Sequence, residues 1–120
     1  MKKVLVVDGR LSNRDLVRTV LESSGYKVAE ASDAAEALRS ARDWKPDLII
    51  LGLHTPGIDG CALLHEIRCD QELTATPVMV LASNAIPGDR ERVLAAGFTC
   101  YLARPVALPT LRSEAERLLP

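Results

Sequence analysis

The sequence predicts an α/β domain in which five helices cover a doubly wound, five-stranded parallel sheet. Apolar runs and helical patterns alternate five times along the 120 residues. The first, third and fourth apolar runs consist almost wholly of Val, Leu and Ile, as expected for parallel strands covered on both faces. A chain of this length suits one domain, residues 1–120, and we expect the strand order 2-1-3-4-5.

The strands are predicted from short apolar segments that turn residues or helical patterns separate. Five segments qualify: Lys3–Val7, Tyr26–Ala29, Asp47–Leu51, Pro77–Leu81 and Cys100–Ala103.

Capping residues mark where the first three helices should begin. Ser12 with Asp15 has the spacing of a capping box before the first helix, and Asp33 with Glu36 repeats it before the second. Asp59 is expected to cap the third helix.

Glycine and proline mark the remaining helix ends. Gly25 should stop the first helix, Pro87 and Gly88 should open the fourth, which ends near Gly97, and Pro109 suits the first turn of the fifth. The residues expected to face inward are Leu16, Val17, Val20 and Leu21; Ala34, Ala37, Leu38 and Ala41; Leu63, Leu64 and Ile67; and Leu111, Ala115 and Leu118.

The composition argues against some classes of binding partner and indicates the cellular compartment. A formal net charge of -1 gives no electrostatic footprint for nucleic acid or an anionic membrane, and no segment approaches membrane-spanning length. Three cysteines are an odd set without a disulfide pattern, so we expect a reducing, cytoplasmic environment.

In a doubly wound sheet, ligands bind outside the carboxyl ends of the strands. This rim should therefore be formed by four segments: Asp8-Gly9-Arg10, Gly52 to Gly57, Ala82-Ser83-Asn84 and Arg104-Pro105.

Ordered motifs along essentially the whole chain resemble the receiver domain of bacterial response regulators, which has a CheY-like, flavodoxin-like fold. They are Val4-Leu5-Val6-Val7-Asp8, Gly25-Tyr26, Glu36-Ala37-Leu38, Pro46-Asp47-Leu48-Ile49, Pro56-Gly57-Ile58-Asp59-Gly60, Pro77-Val78, Ala96-Gly97 and Tyr101-Leu102-Ala103-Arg104-Pro105. The resemblance implies a module of two-component or phosphorelay signalling.

The resemblance also shows where this sequence departs from the family. The phosphoacceptor aspartate becomes Gly52, and the paired acids after the first strand become Asp8 and Gly9, so the direct magnesium ligand is lost. The hydroxyl residue after the fourth strand becomes Ala82, and the lysine before proline becomes Arg104.

These departures remove the usual chemistry. An acyl phosphate requires a carboxylate nucleophile, and Mg²⁺ needs several oxygen ligands, which Asp8 and the His54 carbonyl hardly supply. We therefore expect a pseudo-receiver that is not an enzyme, has no cofactor and binds Mg²⁺ weakly or not at all. The aromatic switch position corresponds to Tyr101, which we expect merely to pack, and the resemblance implies a cis Arg104–Pro105 bond.

Arg104 and Asp8 are predicted to form a charge-assisted pair where metal and phosphoryl group would otherwise meet. The alternative is that Arg104 points to solvent and Asp8 accepts backbone hydrogen bonds. Ser83 could supply the missing hydroxyl, although an ordinary loop role is favoured.

Two further patterns are interpreted as surface features. Cys61, His65 and Cys69 lie at four-residue spacing on the third helix, and we predict no metal site there. Arg10, Arg14 and Arg18 repeat this spacing, and the charged segment Asp89–Arg92 opens the fourth helix; a solvated face is favoured for both.

The leading functional hypothesis is an interaction module. Its expected partners are a histidine kinase or phosphotransfer protein at the first helix, and an output domain or a second copy at the face of the fourth helix, fifth strand and fifth helix. Two alternatives are a sensor of an anion or a nucleotide, including a cyclic dinucleotide, at the rim, and a receiver phosphorylated at a non-standard residue.

Overall fold

The computed structural model describes residues 2–53, 58–83 and 86–119. This part of the chain forms a parallel sheet in the order β2-β1-β3-β4-β5, with five helices, which confirms the predicted fold. The elements are β1 (Lys3–Val7), α1 (Leu11–Ser23), β2 (Lys27–Ala31), α2 (Ala34–Trp44), β3 (Leu48–Leu53), α3 (Gly60–Cys69), β4 (Val78–Ala82), α4 (Asp89–Ala95), β5 (Cys100–Ala103) and α5 (Leu108–Leu118).

Three strand boundaries are shifted toward the carboxyl end relative to the prediction. β2 begins at Lys27 rather than Tyr26, because the Tyr26 amide still donates to Leu21 of α1 at 3.2 Å. β3 extends to Leu53 and β4 to Ala82, where they pair with each other. Apolar composition identifies a strand, but the residue at which the strand ends depends on how far it pairs with its neighbour.

The predicted capping box at Ser12 and Asp15 is wrong. α1 begins at Leu11 with Arg10 as its N-cap and no side-chain cap hydrogen bond. Ser12 therefore lies inside the first turn, and Asp15 instead contacts the Arg18 guanidinium at 3.4 Å.

The other helix signals are confirmed. Asp33 accepts a hydrogen bond from the Glu36 amide at 2.8 Å, and Asp59 accepts one from the Ala62 amide at 3.1 Å. Gly25 has φ 91° and Gly97 has φ 109°, a left-handed conformation that glycine adopts most readily, so both terminate helices as predicted.

Two apolar cores hold the sheet in place. α1 and α5 cover one face through Val17, Val20, Leu21, Leu111 and Ala115, whereas α2, α3 and α4 cover the other through Ala37, Ala41, Leu63, Leu64, Ile67 and Val93. Leu16 is an exception to the predicted inward stripe, because it remains 50% exposed on α1. Its position at the edge of the stripe turns it toward a groove rather than into the core.

Candidate functional site

Strand register brings the predicted rim residues to one edge of the sheet. β1 ends at Val7 beside Leu51 of β3, and Gly52 pairs with Leu81 of β4. Asp8 follows β1 directly, and the Arg104 amide donates to the Ala82 carbonyl at 2.8 Å. These contacts collect the carboxyl ends of β1, β3, β4 and β5 into one site.

Asp8 carries the buried carboxylate of this site. It is 2% exposed; its Oδ1 accepts a hydrogen bond from the Arg10 amide at 2.9 Å, and its Oδ2 accepts one from Arg104 Nη2 at 3.2 Å. A buried carboxylate requires such partners because desolvation without them is very unfavourable. The predicted Asp8–Arg104 pair is therefore confirmed, and the solvent-pointing alternative for Arg104 is wrong.

Arg104 has a second partner. Its Nη1 donates to the Ser83 hydroxyl at 2.8 Å, and its side chain is only 18% exposed. The planar guanidinium thus joins the ends of β1, β4 and β5, which a single ammonium group would do less well. Ser83 acts here as an acceptor for arginine, a role that the sequence did not predict.

Sequence reasoning also missed the support behind Asp8. Arg14 Nη1 donates to the Asp8 carbonyl at 2.7 Å, while its Nε lies 3.1 Å from Glu30 of β2. Arg18 reaches the other Glu30 oxygen at 2.6 Å. The Arg14 side chain is 15% exposed, so a solvated face is wrong for this residue. One sequence feature could have predicted these ion pairs. Glu30 is the acidic residue of β2, and arginines repeat at four-residue spacing along α1.

Among the residues that the structure describes, those at the rim do not fit a magnesium ion. Asp8 is held by Arg10 and Arg104, and positions 9 and 52 provide no side-chain oxygen. Mg²⁺ requires oxygen ligands in near-octahedral geometry, and the Asp8 carboxylate already binds the Arg104 guanidinium. Within the described residues, no group of three or more His, Cys, Asp and Glu side chains could hold a metal ion.

The remaining switch positions are buried or constrained. Ala82 is fully buried, and the Arg104–Pro105 bond is cis, as the resemblance implied. Tyr101 is 7% exposed and packs in the core with α4; burial, and secondly the charge of Asp89, raises the pKa of its phenol. Its predicted packing role agrees with this position.

Asp89 corrects another expectation. It is 4% exposed, accepts a hydrogen bond from the Ile86 amide at 2.9 Å and contacts Arg92, so the segment Asp89–Arg92 is not a wholly solvated helix start. The Asp89 carboxylate thus binds a backbone amide of the segment before α4, and this contact accompanies its burial.

A groove of about 390 Å³ opens beside the Asp8–Arg104 pair, between α1 and the start of α5. Its walls are mainly apolar, and Ser83 and Arg104 provide polar groups. Leu16, which lines the groove, is 50% exposed. This concave surface has the character of a binding site.

Some predicted rim residues lie outside the described residues. They are His54, Thr55, Pro56, Gly57 and Asn84, so the predicted contribution of the His54 carbonyl stays a prediction. Across the described ranges, no helix combines the length and apolarity that membrane crossing requires.

Comparisons with known proteins identify the family. The sequence matches the response regulator receiver domain over residues 4–116. The chain belongs to this family. The receiver is 32% identical over 108 residues to the polar-differentiation response regulator DivK of Brucella anthropi, covering 90% of this chain and 88% of DivK.

Solved structures agree with this assignment. Chemotaxis response regulator CheY4 of Vibrio cholerae superimposes on the receiver with a TM-score of 0.89 and 32% identity, and 99% of each chain is covered. The receiver domain of a signal transduction histidine kinase from Syntrophus aciditrophicus gives a TM-score of 0.88 at 28% identity, covering 99% of this chain and 90% of that one. The protein is thus a receiver module of two-component signalling, a class that acts through protein partners such as kinases and output domains.

Proposed function

We propose that this receiver transmits signals by binding proteins and does not accept a phosphoryl group. The observation that carries this proposal is the Arg104–Asp8 contact of 3.2 Å at the sheet edge where position 52 is glycine. Arginine neutralises the carboxylate that would otherwise attract a divalent cation. Position 52 provides no nucleophile, and the module is accordingly not an enzyme.

Phosphorylation at a non-standard residue has little support. Asp8 is the acidic residue nearest to the expected site, and its two carboxylate oxygens accept hydrogen bonds from Arg10 and Arg104. Attack by this carboxylate would require it to leave a buried, charge-assisted contact. An anion or cyclic dinucleotide sensor is disfavoured for a related reason, because Asp8 already neutralises the guanidinium that would bind the anion.

Exposed apolar side chains support a role in protein binding. Leu11 is 59% exposed and Leu16 50% exposed on α1, and Leu16 lines the groove between α1 and the start of α5. We propose that a histidine kinase or phosphotransfer protein binds this surface. An exposed leucine beside a mainly apolar groove is typical of a surface that binds an amphipathic helix.

A second surface supports an output contact. Ile86, 57% exposed, precedes α4, and Leu94, 37% exposed, lies within it. We propose that an output domain or a second copy binds the face formed by α4, β5 and α5. The cytoplasmic location expected from the cysteine content stays a prediction.

Incubation with acetyl phosphate and Mg²⁺, followed by intact-mass measurement at low temperature, tests the proposal. We expect the mass of the receiver to remain unchanged under conditions that fully modify a receiver with an aspartate at the corresponding position. A phosphoryl adduct on this chain, mapped to any residue, would overturn the proposal.

A further inference from the structure

The two walls of the groove described above come from distant parts of the chain. α1 provides one wall through Leu16 and Val17, and the other wall consists of residues 104–106, at the end of β5, and Leu111 of α5. A partner helix that enters the groove must contact both walls. The separation of these two segments therefore determines what the groove can accept.

Asp8 contacts both walls through different oxygen atoms. Its Oδ1 accepts a hydrogen bond at 2.9 Å from the amide of Arg10, the N-cap of α1. Its Oδ2 accepts one at 3.2 Å from Arg104 Nη2 in the other wall. The backbone carbonyl of Asp8 accepts a third, at 2.7 Å, from Arg14 of α1. One residue thus connects the start of α1 with the segment that follows β5.

Burial strengthens these connections. Asp8 is 2% exposed and the Arg104 side chain is 18% exposed, so water competes weakly for their charge-assisted hydrogen bond. Arg104 is also held by Ser83, which lines the same groove. We propose that Asp8 is a positioning residue that sets the separation of the two groove walls. This inference rests on the proposed function for the use of the groove as a docking surface.

The connection requires two acceptor atoms on one side chain. A carboxylate provides two acceptor oxygens, whereas an amide of nearly the same size provides one oxygen and an NH₂ group that only donates. In Asp8→Asn, the single oxygen can accept from Arg10 or from Arg104, and the NH₂ group then faces the other donor. The carboxylate at position 8 therefore has a role that requires neither a metal ion nor a phosphoryl group.

Methyl NMR spectroscopy of the free protein tests the proposal. NOEs between the methyl groups of Leu16 or Val17 and those of Val106 report the separation of the walls, because NOE intensity falls steeply with distance. We expect wild type to show these cross-groove NOEs. Asp8→Asn should weaken them severalfold, because one wall loses its contact with position 8.

Asp47→Asn is the matched control. Asp47 lies before β3, at the opposite end of the sheet, and its Oδ2 accepts a hydrogen bond from the Lys3 amide at 2.8 Å. The same substitution there also removes a carboxylate that binds a backbone amide. We expect Asp47→Asn to retain the cross-groove NOEs of wild type even where it lowers stability.

A second variant covers the case in which Asp8→Asn does not fold. Asp8→Asn/Arg104→Gln leaves no uncompensated charge at this site, and it should also lose the cross-groove NOEs. NOEs among the core methyl groups of Val20 and Leu21 should persist and show that the variant is folded. Cross-groove NOEs of wild-type intensity in either folded variant, or their loss in Asp47→Asn, would overturn the proposal.

The measurement uses neither a phosphoryl donor nor a binding partner. A phosphoryl adduct would therefore overturn the proposed function and leave the NOE result unaffected. Unchanged NOEs in Asp8→Asn would overturn the positioning role and leave the absence of phosphorylation unaffected.

Discussion

The Arg104 guanidinium lies 3.2 Å from the Asp8 carboxylate, joining two positions that are 96 residues apart in sequence. Asp8 follows the interior strand β1, whereas Arg104 follows the edge strand β5. The pair therefore spans the sheet edge where receivers are expected to bind metal and phosphoryl groups. The two residues should stabilise the fold jointly, so the effects of replacing them should not be additive.

Removing the positive charge of Arg104 should strongly destabilise the protein. Arg104→Gln leaves the buried Asp8 carboxylate without its cation, which is expected to lower the free energy of unfolding by about 3 kcal/mol. Asp8→Asn should restore part of this loss in the double variant, because no uncompensated charge then remains. Urea unfolding of the four proteins in a double-mutant cycle measures the coupling.

Arg112→Gln is the matched control for that cycle, since Arg112 is exposed and its contact is a hydrogen bond of 3.4 Å to Ser23. We expect Arg112→Gln to change the free energy of unfolding by no more than about 0.5 kcal/mol. Additive effects of Asp8→Asn and Arg104→Gln would contradict a stabilising pair.

Glu30 should be more important for stability than a typical surface acid. It accepts contacts from Arg14 at 3.1 Å and from Arg18 at 2.6 Å, and Arg14 in turn holds the Asp8 carbonyl. We expect Glu30→Gln to lower the free energy of unfolding by about 1–2 kcal/mol. The loss should be smaller at high salt, because salt screens the attraction between Glu30 and the two arginines.

Glu72→Gln provides the comparison, because its partner Lys45 is 53% exposed and Glu72 itself is 65% exposed. Such an exposed pair contributes little to stability because solvent screens it. Chemical denaturation at low and high salt distinguishes the two variants, and equal losses would argue against a special role for Glu30.

Alkaline pH should destabilise the protein through Cys100. Burial, and secondly the charge of Glu114, raises the pKa of this thiol above its ordinary value of 9.0. The folded protein then retains the proton at pH values where the unfolded chain loses it. The stabilisation is fully present below the unfolded-state pKa and is lost as pH rises through the folded-state pKa.

The measurement is the urea midpoint between about pH 8 and pH 10, compared with that of Cys100→Ala. The variant should be less stable at neutral pH but should show a shallower decline with rising pH, because it lacks the buried thiol whose pKa is raised in the folded protein. Parallel declines would exclude Cys100 as the cause.

Leu16 should be dispensable for stability although it belongs to the apolar stripe of α1. Leu16 is 50% exposed, so Leu16→Ala is expected to change the free energy of unfolding by less than about 1 kcal/mol. Leu21 on the same helix is fully buried, and Leu21→Ala should lower the free energy of unfolding by about 2–5 kcal/mol. Thermal unfolding of the two variants is the test, and a large loss from Leu16→Ala would argue against a surface kept for partner binding.

Sequence patterns were sufficient for the doubly wound sheet because each strand was a distinct apolar run and each βα unit repeated the same alternation. They were also sufficient for Asp8 and Arg104, since topology places both at the same rim. Ser83, Arg14 and Glu30 required coordinates, because their contacts depend on side-chain direction and strand register. The Ser12 capping box failed because several polar residues near a helix start can each fit the pattern.

Restoring the four departures from the receiver pattern tests the central claim most directly. The measurement is phosphoryl incorporation by intact mass, with acetyl phosphate and Mg²⁺, for wild type and for a folded Gly9→Asp/Gly52→Asp/Ala82→Thr/Arg104→Lys variant. We predict no adduct on wild type and a single, Mg²⁺-dependent adduct on the variant. An adduct on wild type, or a folded variant that remains unmodified, would contradict the account.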